Sequence, residues 1–269
     1  MEKISVIIPT YNRCDKLQKA INSVLSQTYS NIELLVVDDG STDNTENMVC
    51  NISDKRVRCI KLEKNMGVAN ARNEGVLHAT SELIAFHDSD DLWRAEKLEK
   101  QMTYWKKHPE FGMIYCAYQY HNEKREISRR FPSEDREGVE GDIFPYLLLK
   151  NTVGAPTMLL KRQCFLEVGG FNVECRCLED WEFVLRYAEQ YLVGYVNEVL
   201  LDVYFSEGSI STFKAGYAEA RCYIISRYKQ YLLQHNLFDL VVSDLFKMAE
   251  QSGVLEEVKK LLQIYLMSN

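Results

Sequence analysis

Along the first 110 positions, short apolar runs that break off into polar or acidic residues alternate with stretches of helical periodicity. Ile4 to Ile8 (ISVII) is rich in β-branched residues, as suits a parallel strand covered on both faces. Pro9 ends it, and Leu17, Ala20, Ile21, Val24 and Leu25 follow at the spacing of one helix face. Ile32 to Val37 predicts a second strand, Val57 to Leu62 a shorter third, and the run opening Leu83 to Trp93 (LIAFHDSDDLW) a fourth. Asn65-Met66-Gly67 marks a turn before a helix that carries Val76 and Leu77, and Leu98, Gln101, Met102 and Trp105 predict an amphipathic helix after the fourth strand. Asp43, with Glu46 three residues later, fits a capping box for the helix after the second strand.

Beyond residue 110 the pattern is less regular. Gly112 to Tyr120 predicts another strand, Ile143 to Leu149 a short helix and Thr157 to Leu160 a short strand. Between them, residues 121–141 alternate five basic with six acidic side chains and few large apolar ones, so a mobile surface segment is expected. Glu179-Asp180 opens a helical segment through Gln190, Val193 to Phe205 supplies one or two strands, and Ser206 to Ser209 interrupts the pattern. From Tyr217 onward apolar helical faces alternate with six basic and six acidic residues. The pattern predicts an α/β fold with a helical C-terminal appendage: one domain over 1–215, and helices over 216–269.

Composition narrows the function. Of 269 residues, 46% are hydrophobic and 26% charged, with a net charge of −7, which argues against a nucleic-acid binder. Eight cysteines occur without a C-x-x-C pair, and the chain opens without a signal-peptide pattern. Buried thiols in a reducing, cytoplasmic setting are therefore expected. No apolar run approaches a membrane span. The tyrosines and leucines of the tail more often mean packing on the main domain or on a partner helix than membrane insertion, with peripheral contact at the inner membrane face or a homo-oligomer through the C-terminal helices as further roles.

The candidate chemistry sits where the strands end. Asp88, Asp90 and Asp91 place three carboxylates within four residues, and a divalent cation between them would relieve their repulsion. Oxygen donors of this kind suit Mg²⁺ or Mn²⁺, whereas a solvated acidic turn capping the next helix would need no metal. Asp38 and Asp39 end the second strand, beside the loop of the first, at the edge where open α/β sheets bind ligands. Backbone bonding within a turn is the alternative for this pair. Arg72, near the start of its helix, is poorly placed for the macrodipole and points to an anionic partner, with a surface salt bridge as the alternative. Asp180 could be no more than an acid in a helix's first turn. The first strand is not followed by G-x-G-x-x-G, which removes the main support for a dinucleotide-binding dehydrogenase.

Taken together and in order, VIIPTYNR (6–13), VVDDGSTDNT (36–45), NMGVANARN (65–73), HDSDDLW (87–93) and LEDWEF (178–183) resemble the family 2 inverting glycosyltransferases of the GT-A fold. That resemblance implies a Rossmann-like, mostly parallel sheet flanked by helices, with a nucleotide-binding half over about 1–110 and an acceptor half over about 111–215. It implies transfer of a sugar from a nucleotide-sugar donor, by preference a UDP-sugar, to a glycan or lipid-linked saccharide, as in cell-surface polysaccharide synthesis. Carried over by position, Pro9, Thr10, Tyr11, Asp38, Asp39 and Arg72 would contact the nucleotide, with Asp39 on the base. Asp88 and Ser89 would reach the ribose side, and Asp88, Asp90 and Asp91 the Mn²⁺ or Mg²⁺. Asp180, with Glu179 beside it, would be the general base. One departure is Ser206, where many relatives place a histidine that could help hold the metal; His87 is no substitute, because strand alternation turns it away from Asp88. Two other readings use fewer of these acids: a D-x-D phosphotransferase with an aspartyl nucleophile, and a non-catalytic nucleotide-sugar-binding or interaction domain.

Overall fold

The apolar runs at the start of the chain become the centre of the sheet. In the computed structural model, which describes residues 1–134, 139–205 and 214–268, β1 (Ile4–Thr10) and β2 (Ile32–Asp38) are buried along their whole length. Between them runs α1 (Cys14–Leu25), which buries Leu17, Ala20, Ile21 and Val24, the face its spacing predicted. After β2 come α2 (Thr45–Cys50), β3 (Val57–Lys61), α3 (Val68–His78) and β4 (Leu83–Phe86). These four strands pair in parallel in the order β3-β2-β1-β4, so the acids that end β2 and follow β4 emerge at one edge. Gly75 lets α3 lie close to the sheet: a Cβ there would stand 2.4 Å from Ile7 Cγ2.

The sheet then continues with mixed polarity. A short β5 (Leu92–Trp93) precedes α4 (Lys97–Lys107), and β6 (Met113–Asn122) turns through Glu126, at φ +52°, into β7 (Ile127–Phe131). Residues 121–131 are therefore strand and turn rather than the mobile stretch their charge pattern predicted, since β6 and β7 pair antiparallel from Tyr118↔Phe131 to Asn122↔Ile127, while 135–138 lie outside the described residues. Glu123 to Glu126 form the turn between the two strands, and Arg129 and Arg130, adjacent on β7, fall on opposite faces of the hairpin. The chain proceeds through α5 (Phe144–Leu147), a 3₁₀ turn at Ala155–Thr157, β8 (Leu159–Lys161), α6 (Arg162–Glu167), α7 (Glu179–Ala188) and a single strand β9 (Val193–Tyr204). The full order is β3-β2-β1-β4-β8-β6-β9-β5, with β7 on β6. Parallel pairing carries most of the register, chiefly through β1 with its neighbours and β6 with β9.

The capping box does not form. Asp43 Oδ1 accepts the Thr45 N–H at 3.0 Å, two residues ahead, while Glu46 pairs with Lys61 on β3. An Asx turn reaches an earlier amide than a capping box needs, so the helix starts at Thr45. Four helices close the chain: α8 (Lys214–Arg227), α9 (Lys229–Gln234), α10 (Phe238–Gln251) and α11 (Leu255–Ser268). Cys222, Ile225, Leu245 and Leu262 belong to the same apolar cluster as Trp181 and Phe183, so these helices pack into the core of the sheet's α7 side. No helix among the described residues is long and apolar enough to cross a membrane.

Candidate active site

The loops after β1 and β2 hold each other. Asn12, at φ +50°, accepts the Thr42 N–H on its side-chain oxygen at 2.8 Å, and its own N–H reaches Ser41 Oγ at 2.9 Å. Asp38 Oδ1 accepts the Ser41 N–H at 2.9 Å. Asp39 uses one oxygen each for the N–H groups of Met66 and Gly67, both at 2.8 Å, which ties the end of β2 to the turn that starts α3. Burial, aided by the Asp38 charge, pushes the Asp39 carboxyl up against the pull of those two amides. Pro9 and Thr10 are buried at the end of β1, whereas Tyr11 is 42% exposed, with its ring open to a flat ligand. Thr10 Oγ1 and Asp38 Oδ2, on paired residues, are buried and have no hydrogen-bond partner among the described residues. Leaving such groups unpaired costs about 1–3 kcal/mol each, so this corner fits a polar ligand that would satisfy them.

Gly40 is what lets the two loops approach. At φ +73°, a Cβ on it would lie 2.6 Å from the Lys64 carbonyl carbon, which is backbone and cannot rotate aside. Gly40→Ala should cost about 1–3 kcal/mol, and by displacing the 64–67 turn from Asp39 it should weaken UDP binding at least tenfold. Calorimetric titration with UDP checks this; unchanged affinity would remove the turn from the nucleotide site.

Arg72 joins the two acidic motifs. It is 3% exposed, donates through Nη1 to Glu179 Oε1 at 2.6 Å and through Nη2 to Asp88 Oδ1 at 2.7 Å, and its guanidinium carbon stands 5.4 Å from the Phe171 ring centre. A cation this near a helix N-terminus opposes the macrodipole, and two carboxylates at hydrogen-bond distance outweigh that small cost. The expected anionic partner is thus the protein itself. Asp88 and Glu179 lie 91 positions apart in the chain and meet on one side chain.

The acids that follow β4 have separate partners. Asp90 pairs with Arg13 from the β1 loop, and Asp91 Oδ1 accepts the Tyr204 N–H at 3.2 Å. Burial, with Asp90 and Glu179 nearby, pushes the Asp88 carboxyl up while Arg72 restrains it; burial and the Asp88 and Asp90 charges push Asp91 far up. Ser89 is buried between them. No three His, Cys, Asp or Glu side chains among the described residues form a group that could hold a metal ion by themselves. Two guanidinium groups supply part of the positive charge that the carboxylate cluster demands. The donor chemistry nonetheless fits a hard cation: Asp88 and Asp90 offer carboxylate oxygens where negative charge is in excess, and a diphosphate and water could complete the shell. His87 is fully buried on the opposite side, 3.2 Å from Ser23 Oγ and packed on Trp93, with its pKa driven well below the usual imidazole range by burial and then by Lys97. Ser206 lies outside the described residues.

Asp180 occupies the first turn of α7, after Leu178 turns the chain at φ +57°. Its Oδ1 accepts the Trp181 N–H at 2.7 Å and the Asn151 side-chain N–H at 3.4 Å, while Oδ2 accepts no hydrogen bond from any described residue. A Cβ on Gly154 would stand 3.7 Å from Oδ2, so the bare glycine keeps that oxygen clear. Burial, then the charges of Glu179 and Asp88, push its pKa up to about 7 despite the opposing pull of Arg72. A carboxyl with that pKa and one open oxygen can take a proton near neutral pH.

The structure thus brings Asp88, Arg72, Glu179 and Asp180 together, with Asp90 and Asp91 on the same turn and Asp39 holding the start of the helix that carries Arg72. Sequence reasoning missed Arg13 as the partner of Asp90, Asn12 as the clasp of two loops, and Asn151 and Gly154 beside Asp180. Only the N-R pair in the first loop carried a local signal.

Comparison with known proteins gives the family and the fold. The sequence profile described as glycosyl transferase family 2 matches residues 5–165. An uncharacterized glycosyltransferase of Rickettsia felis is 35% identical over 209 residues, covering 77% of this chain and 34% of that protein. The Escherichia coli UDP-Glc:alpha-D-GlcNAc-diphosphoundecaprenol beta-1,3-glucosyltransferase WfgD is 40% identical over 160 residues, covering 59% of this chain and 60% of its own. The match therefore spans about a third of the first relative and less than two thirds of the second. Among solved structures, Staphylococcus aureus TarS 1–349 in complex with UDP-GlcNAc superposes with a TM-score of 0.67 at 18% identity, over 98% of this chain and 89% of that one. The mannosyltransferase PcManGT of Pyrobaculum calidifontis, in complex with GDP-Man and Mn²⁺, gives 0.64 at 17% identity, over 98% and 84%. Both likenesses are of fold.

Proposed function

Since the chain belongs to glycosyl transferase family 2 and has the GT-A fold, we propose that it transfers a sugar from a UDP-sugar to a lipid-linked saccharide, with inversion at the anomeric carbon. The observation that carries this reading is the Arg72 bridge, which sets the acidic turn after β4 against the α7 turn bearing Asp180. WfgD acts from UDP-Glc on a diphosphoundecaprenol-linked acceptor, and that chemistry supports the choice of donor and acceptor.

In this reading the base stacks on Tyr11 and meets the β2 loop at Asp38 and Asp39, where the unpaired Thr10 Oγ1 and Asp38 Oδ2 acquire partners. The ribose and diphosphate lie along Asp88 to Asp91. Asp88 and Asp90 would hold Mn²⁺ or Mg²⁺, which when bound would supply electrostatic stabilisation of the leaving diphosphate. The acceptor hydroxyl approaches from the opposite face of the sugar, and its proton passes to Asp180 Oδ2, while the Trp181 amide and Asn151 fix Oδ1. Glu179 keeps Arg72 in place and raises the basicity of Asp180. The enzyme works at the cytoplasmic face, peripheral to the membrane that carries the acceptor, with residues 1–215 as the catalytic unit and 216–269 as its helical extension.

The test is a donor panel. Incubated with UDP-, GDP- and dTDP-sugars and Mn²⁺, the protein should release nucleotide slowly from one UDP-sugar by hydrolysis, and chelation should lower that rate at least tenfold. Release from a GDP- or dTDP-sugar instead would overturn the donor, and a rate indifferent to chelation would overturn the metal.

A further inference from the structure

An aromatic strip leads away from Asp180 along the β6–β7 hairpin. In the antiparallel register Tyr118 faces Phe131 and Tyr120 faces Arg129, and by strand alternation these four side chains share one face. Tyr118 and Phe131 are stacked with ring centres 5.4 Å apart, and Tyr120 meets the Phe131 ring edge-on at 6.4 Å. All three rings are only half-buried. The strip begins at the site: the Ala155–Thr157 turn lies against β6, with Thr157 O 3.8 Å from Cys116 Sγ, and Gly154 at its start backs onto Asp180. On the other side β9 runs beside β6, and its Tyr204 N–H holds Asp91. The Asp180 and Asp91 charges both act on the Tyr118 hydroxyl.

At the outer end of the strip stands Arg129, exposed and without an ion pair to any described residue. Its neighbour Arg130 is spent on Glu134, Asn197 and Tyr195 on the other face. Two strand positions, about 7 Å, separate the Tyr118–Phe131 stack from the Tyr120–Arg129 pair. That is the reach from the far hydroxyl of a pyranose to a phosphorus on its anomeric oxygen. Aromatic faces pack on the C–H faces of sugars, and a guanidinium fork matches a phosphate.

We propose that Tyr118, Phe131, Tyr120 and Arg129 form the acceptor subsite, and that the acceptor is a single sugar carrying a diphosphate, with its ring on the Tyr118–Phe131 stack and its phosphate on Arg129. This rests on the transferase reading above and adds to it the residues and the chemical form of the acceptor. A neutral oligosaccharide would leave Arg129 without a role; a sugar diphosphate uses both ends of the strip.

The experiment is equilibrium titration of the full chain, loaded with UDP and Mn²⁺, with two probes: GlcNAc α-diphosphate carrying an octyl chain, and octyl α-GlcNAc lacking the diphosphate. The first should bind at least tenfold more tightly, Arg129→Gln should abolish that difference, Arg129→Lys should restore part of it, and Tyr120→Leu should weaken both probes. Equal affinity for the two probes, or an Arg129→Gln affinity matching the parent, overturns the proposal. Sedimentation with phosphatidylglycerol vesicles supplies the other arm. Loss of vesicle binding in Arg129→Gln with unchanged diphosphate affinity would assign the cation to lipid headgroups and overturn the proposal in that way. Failure of the unsubstituted protein in the donor panel would instead count against the transferase reading.

Discussion

Asp180→Asn should lower the rate of sugar transfer by about 10³-fold, within the usual contribution of a general base, while UDP affinity stays within a few-fold of the parent. The amide keeps the shape of the side chain and the bond from the Trp181 N–H, and loses only the capacity to take a proton. The parental pH profile should report the same group. With the pKa pushed up to about 7, the basic form of Asp180 is scarce below neutrality, so kcat should climb with pH and level off above about 7. Stability should run the other way. The folded state holds this proton up to about pH 7 and the unfolded chain releases it near 3.8, so the folded state binds more protons between those values and stability falls as pH rises through that window. Asn, which never ionises, avoids that loss. The variant should melt above the parent at pH 8 and level with it near pH 4. Loss of activity with a gain in stability distinguishes a base from a structural cap, whose removal would lower both. An Asp180→Asn protein that transfers sugar at the parental rate would remove the base assignment.

Arg72→Met should produce the largest loss of stability. Removing the guanidinium leaves Glu179 and Asp88 facing each other in a largely buried setting, and breaking one partner of such a pair costs about 3–5 kcal/mol. The lower end is expected, because 30% of the Asp88 side chain remains in solvent. About 3 kcal/mol in a chain of this size corresponds to a fall of roughly 10 °C in Tm. Burial already pushes the Asp88 carboxyl up, and losing the cation that restrains it makes the folded state hold that proton more tightly still relative to the unfolded one. The deficit should therefore be greatest at pH 8 and shrink towards pH 5 as Asp88 protonates. Arg72→Lys should recover only part of the loss, since one ammonium cannot reproduce two directed bonds to separate carboxylates. Melting curves at the two pH values check this; a pH-independent deficit would mean that packing on Phe171 dominates.

These two variants also mark how far the sequence is informative. Asp39, Asp88 and Asp180 could be picked out because each sits where a periodic run stops, and a strand end or helix start is local information. The first four strands themselves were legible for the same reason, from β-branched runs alternating with helical faces, whereas their order β3-β2-β1-β4 was not. What could not be read was the pairing across distance. Arg13 and Asp90 are 77 positions apart, Arg72 and Glu179 are 107 apart, and nothing local says which cation answers which acid. Excess carboxylate therefore left a metal or a solvated acidic turn as the readings, where the structure sets two arginines against the acids. Of the β6–β7 hairpin only β6 was legible: the charged turn Glu123 to Glu126 and the adjacent Arg129 and Arg130, which fall on opposite faces of β7, break the alternation that marks a strand. The apolar residues of the helical tail pointed to packing on the main domain or on a partner helix, and Cys222, Ile225 and Leu245 enter the core beside Trp181.

In the proposed enzyme, Asp39, the Asp88 to Asp91 turn and Asp180 border one cleft for a nucleoside diphosphate sugar. The decisive measurement is a crystal structure of the protein with UDP and Mn²⁺. It should show the uracil ring against Tyr11 and the β2 loop, the diphosphate along Asp88 to Asp91, and Asp180 Oδ2 open to the space beyond the terminal phosphate. UDP bound elsewhere, or seated with Asp180 turned away from its diphosphate, would contradict it.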